Sequence, residues 1–113
     1  MKELEYYWEQ DGYCRMIIII HYERQSWRCG YVGVPEGHPL YGIDDYDSVD
    51  NEIQSDVHGG LTFAGRTDLI SECKYWFFGF DCNHFGDNPK KCDYEYVRGE
   101  VDKLLKVIKD YKK

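Results

Sequence analysis

The chain has 113 residues, a net charge of −7, 42% hydrophobic and 17% aromatic residues. A chain of this length forms one domain, residues 1–113, and buries about two thirds of its unfolded surface without disulfides or a structural metal. The aromatic share excludes a disordered chain. The acidic balance excludes a duplex nucleic-acid binder, which needs a basic face. Lys103, Lys106, Lys109, Lys112 and Lys113 gather in the last stretch, so the body is more acidic still.

The first ten residues carry Tyr6-Tyr7-Trp8 and predict a short strand or an irregular arm. They have no apolar core of the signal-peptide kind. Asp11-Gly12 is a turn signal. Tyr13 to Tyr22 reads YCRMIIIIHY. Its β-branched run suits a pleat, and its unbroken apolarity predicts a central strand covered on both faces. The aliphatic run is far too short to cross a membrane. Glu23 to Ser26 turns the chain, and Trp27 to Val34 predicts a strand paired with the previous one. Gly30 and Gly33 inside it mark a bulge or the close approach of another group.

Residues 35–50 predict a long loop bearing Pro35, His38, Pro39 and Tyr41, with an acidic second half. Its spacing is not that of an EF-hand. Glu52 to His58 has a strand pattern, and Gly59-Gly60 then signals a hairpin into Leu61–Ala64. Lys74 to Phe80 is the most aromatic run and predicts another central strand. It ends in a polar cluster with Asp81, Cys82, Asn83, His84 and Asp87. Asp93 is a good N-cap. Val97, Val101, Leu104, Leu105, Ile108 and Tyr111 then recur at helical spacing, predicting a helix from about residue 93 to 111. The expected fold is α+β, a mainly antiparallel sheet of about five strands with one C-terminal helix packed on it.

The five cysteines show no paired spacing. They predict small buried hydrophobes in a reducing, cytoplasmic setting. Three histidines sit in glycine- or proline-bearing loops: His38 in EGHPLYG, His58 in VHGGLT and His84 in DCNHFGD. Such placement leaves ring nitrogens available to a ligand, and adjacent glycines bare backbone N–H groups. Together the loops predict a binding pocket formed by His38, Tyr41, His58, Gly59, Gly60, Thr62, Asp81, Cys82, His84 and Asp87. Tyr41, Trp76, Phe85 and Trp27 are candidates to stack on a base, and Arg15, Arg28, Arg66, Lys74 and Lys90 to meet a phosphate. The same residue types admit a metal-dependent hydrolase with His58, Asp81, His84 and Asp87 as ligands, although no HxH or HExxH spacing is present. A Cys82 nucleophile with a histidine base is a weaker option, because nothing local lowers its pKa.

The strings YVGVPEGHPLYG, VHGGLTF and WFFGFDCNHFGD, followed by a helix, resemble a family of small bacteriophage proteins with HPLYG, HGGLTY and GFDCAHxGD motifs. The resemblance covers residues 31–87 and, loosely, the helix. The chain departs from the family pattern at Phe63, in place of tyrosine, and at Asn83, in place of alanine. The resemblance implies a phage accessory protein in the host cytoplasm, acting against host defence, and no particular reaction. The leading expectation is a binding protein without a cofactor that sequesters a nucleotide-derived immune signal. The alternatives are the small metal-dependent hydrolase and an acidic inhibitor of a host defence protein. A homo-oligomer is a further option, and no membrane partner is expected.

Overall fold

A computed structural model describes residues 2–45, 60–67, 74–83 and 90–111. Five strands, β1 (Lys2–Gln10), β2 (Tyr13–Tyr22), β3 (Gln25–Val34), β4 (Phe63–Gly65) and β5 (Trp76–Asp81), form one antiparallel sheet in the order β1-β2-β3-β5-β4. Among the described residues one helix, α1 (Tyr94–Asp110), lies across it. This is the α+β arrangement that the strand and helix patterns predict. Among the described residues no helix is long and apolar enough to cross a membrane.

Local chemistry explains the meander at the N-terminal side. Asp11 and Gly12 both take positive φ, 55° and 82°. A two-residue turn with both central residues left-handed matches strand twist and closes a tight hairpin. It pairs Gln10 with Tyr13. Lys2–Gln10 therefore forms a full outer strand, with Tyr6 and Tyr7 sent to opposite faces. A register shift between Leu4 and Tyr6 leaves Glu5 unpaired in the ladder. Arg28 holds that bulge through two bonds to the Glu5 carboxylate, at 2.7 and 3.0 Å.

β2 is covered on both faces, as its run of isoleucines requires. Ile17 joins the core beneath the helix, whereas Met16 and Ile18 join a second core on the other face. Val97, Val101, Leu104 and Ile108 of α1 are fully buried against the first core. Asp93 caps the helix, its side chain accepting from the Tyr96 N–H at 2.8 Å. Gly30 resolves in favour of close approach, because the β2–β3 register runs without a break. A Cβ there would lie 2.6 Å from both Phe80 Cζ and Val101 Cγ2. The helix can press onto the sheet only because that position is bare. The strand expected at Glu52–His58 falls outside the described residues.

Candidate binding site

β5 lies between β3 and β4, so its side chains alternate between the two cores. Trp76, Phe78 and Phe80 face the helix side, and Phe77 faces the other. At its first residue the Trp76 indole N–H donates to the Ile43 carbonyl at 2.9 Å. The Tyr41 ring packs against that indole, with centroids 5.9 Å apart. Arg66 follows directly after β4 and reaches the same place. One of its N–H groups donates to the Tyr41 hydroxyl at 2.9 Å, and the guanidinium carbon lies 6.0 Å from the ring centroid. Two stacking candidates and one phosphate-binding candidate thus meet at the start of β5. Arg66 is exposed and makes no ion pair with another described residue.

His38 is placed near this end but is committed to the fold. Its Nδ1 accepts from the Leu40 N–H at 3.1 Å. The other nitrogen therefore carries the proton, and Nε2 donates to the Ile108 carbonyl at 3.0 Å. The ring lies edge-on to Tyr13 and stacks on Tyr111. It thereby fastens the loop after β3 to the last turn of α1, adding a second donor to a carbonyl that also accepts from the Tyr111 N–H at 3.2 Å.

Asp81 ends β5 and sits at the far end of the strand from Trp76 and Tyr41. Five residue steps separate the two ends, roughly 16 Å at the usual strand rise. Asp81 accepts from the Asn83 N–H at 3.1 Å. Gly60, with φ 81°, and Thr62 lead into β4 at that same end, where the Thr62 N–H donates to the Gly79 carbonyl at 2.8 Å. The structure thus groups Gly60, Thr62 and Asp81 at one end of β5, and His38 and Tyr41 at the other. His58, Gly59, His84 and Asp87 lie outside the described residues. Of the alternative ligand set, only Asp81 is described. Among the described residues no group of three or more His, Cys, Asp and Glu is placed to hold a metal ion.

No protein-family model, curated protein or solved structure matches this chain.

The described cysteines, Cys14, Cys29, Cys82 and Cys92, sit in the cores. Cys82 is buried beneath the helix. Cys29, opposite Asp81 on the other face, has its thiol pushed up to about 12, first by burial and then by the Asp81 charge. A thiol so raised stays protonated at neutral pH and is a poor nucleophile. Tyr31 beside it is also raised, by burial and then by Cys29.

That second face contains a feature the sequence did not reveal, a cavity of about 90 Å³. Met16, Ile18 and Phe77 form its buried bottom, Tyr31 and Phe63 its walls, and Lys2, Arg66 and Thr67 its mouth. The available signal was alternation. Lys2, Tyr31, Phe63 and Phe77 all project to one face once the register is known. Gly79 stands opposite Tyr31 and Phe63, leaving room for the phenol ring.

Proposed function

We propose that this domain binds and retains a small nucleotide-derived molecule, acting as a phage-encoded trap for a host immune signal. The observation that carries the reading is the Arg66–Tyr41–Trp76 cluster at the start of β5. Aromatic faces stack on bases irrespective of sequence, each stacked base contributing about 1–3 kcal/mol. A guanidinium has five donors in a fork that fits phosphate. One of these donors is engaged by the Tyr41 hydroxyl. On a chain of net charge −7, a cation beside two packed aromatic rings is the arrangement an anionic nucleotide needs.

The cluster favours holding over turnover. An indole and a guanidinium offer a substrate no lone pair, and the Tyr41 oxygen already accepts from Arg66. The supporting context is the resemblance of the sequence motifs to small phage proteins, which implies a trap that acts in an infected cell. The test is incubation with cyclic dinucleotides and ADP-ribose derivatives, followed by heat release and chromatography. Intact ligand is expected in the released fraction. Arg66→Met and Tyr41→Leu should each weaken binding at least tenfold. Chemically altered ligand would establish an enzyme and favour the metal-dependent hydrolase. No rise in melting temperature with any nucleotide would refute the trap and direct the search to a host protein by pulldown.

A further inference from the structure

We infer that the cavity on the sheet face opposite α1 is a separate site for a short branched aliphatic acid, its hydrocarbon body in the bottom and its carboxylate at the mouth. This goes beyond the nucleotide reading and rests on different residues, Arg66 excepted.

Size sets the first limit. Whole drug-sized ligands occupy pockets of about 300–1,000 Å³, and a cavity that takes benzene measures about 150 Å³. At about 90 Å³ this one suits a body smaller than a benzene ring. Its bottom is apolar and its walls are fixed. Met16, Ile18 and Phe77 are each at most 2% exposed. Tyr31 stands edge-on to Phe63 and to Phe77, with centroids 5.5 and 6.4 Å apart. Rings interlocked in this way hold their shape, so the space is set before a ligand arrives.

Charge sets the second limit. Lys2 and Arg66 flank the mouth, and neither pairs with a carboxylate among the described residues. Elsewhere on this acidic chain, Arg15, Arg28, Lys103 and Lys109 each have an acidic partner. Asp81 shares the face but does not line the cavity. Two cations beside low-dielectric walls attract one anionic head. A bare phosphate does not fit the bottom, because it would leave water for Met, Ile and Phe side chains. An uncharged alcohol would leave the two cations unused. Burial holds the Tyr31 phenol protonated, so the wall does not repel an anion.

The probe is isovalerate, titrated into the full chain by calorimetry and by thermal shift. Saturable binding and a raised melting temperature are expected. The neutral isostere 3-methylbutan-1-ol and inorganic phosphate should fail at the same concentrations, and benzoate should bind more weakly. Lys2 is an exposed side chain, so Lys2→Met should fold normally, lose at least tenfold in isovalerate affinity and keep any nucleotide binding. Tyr41→Leu should do the reverse, which separates failure of this site from failure of the nucleotide trap. The proposal is overturned by any of four results. These are no saturable isovalerate binding, equal binding of the alcohol, equal binding of phosphate, or tighter binding of benzoate.

Discussion

Gly79→Ala offers a sharp test of how this sheet is assembled. Gly79 pairs with Tyr31 on one side and Phe63 on the other. An added Cβ would overlap Tyr31 Cδ1, lie 2.6 Å from Tyr31 Cε1 and lie 2.8 Å from the Gly30 carbonyl oxygen. The backbone oxygen cannot swing away, and the ring can move only by leaving its edge-on contacts with Phe63 and Phe77. Overpacking costs about 1–3 kcal/mol, and each aromatic pair lost costs about 0.5–1.5 kcal/mol more. Alanine also lowers the entropy of the unfolded chain, which returns about 0.4–1 kcal/mol. With both aromatic contacts at stake, the net loss should be about 2–4 kcal/mol, or a fall in Tm on the order of 10–15 °C. Urea unfolding followed by tryptophan fluorescence measures it, and the same change in a Tyr31→Ala background should cost at least about 1 kcal/mol less. If Gly79→Ala costs under about 0.5 kcal/mol, as an ordinary surface substitution does, the ring does not rest on that bare backbone and the reasoning fails.

Three further outcomes follow from local features. Glu23 holds φ at 55° without being glycine, so Glu23→Gly should stabilise the chain by about 0.5–1 kcal/mol, the left-handed strain outweighing the added backbone entropy; a lower urea midpoint would contradict this. Asp93→Ala removes the cap on Tyr96 N–H and should cost about 1 kcal/mol, with helix signal lost first in circular dichroism. Glu9 accepts from the phenols of Tyr75 and Tyr7, which hold its carboxyl below the ordinary 4.5. A group lowered in the folded state stabilises fully above that ordinary value and loses its contribution as pH falls through the folded one. The stability gap between the wild type and Glu9→Gln should therefore be widest at neutral pH and close below about pH 4.5, and a gap constant with pH would refute the assignment.

The fold was legible wherever a single residue type decides the local geometry. The isoleucine run, the Asp11-Gly12 turn, the Asp93 cap and the helical stripe each leave few alternatives. β1 was only half legible, because its alternation is broken by the bulge at Glu5 and its partner Arg28 is distant in sequence. The site was less legible for the same reason. His38, flanked by Gly37 and Pro39, has the sequence look of a ligand group, yet both ring nitrogens meet backbone atoms, one of them seventy positions away. Arg66 looks like a solvated charge until the hairpin of β4 and β5 lays it on Tyr41. Contacts of that kind depend on register, and register is set by the whole sheet.

The bulge in β1 has a bearing on how the protein behaves when concentrated. β1 is one of the two outer strands of the described sheet, and Leu4 and Trp8 on it are 47% and 49% exposed. A flat outer strand of that kind invites another chain to add on, and repeated addition leads to fibrils. Here Glu3, Glu5 and Glu9 charge the strand, and the Glu5–Arg28 bond keeps it kinked. Arg28, which ties β1 to β3, should therefore also slow polymerisation. An Arg28→Met chain should fold, yet bind thioflavin T sooner than the wild type on prolonged incubation, and equal lag times would show that the kink gives no such protection.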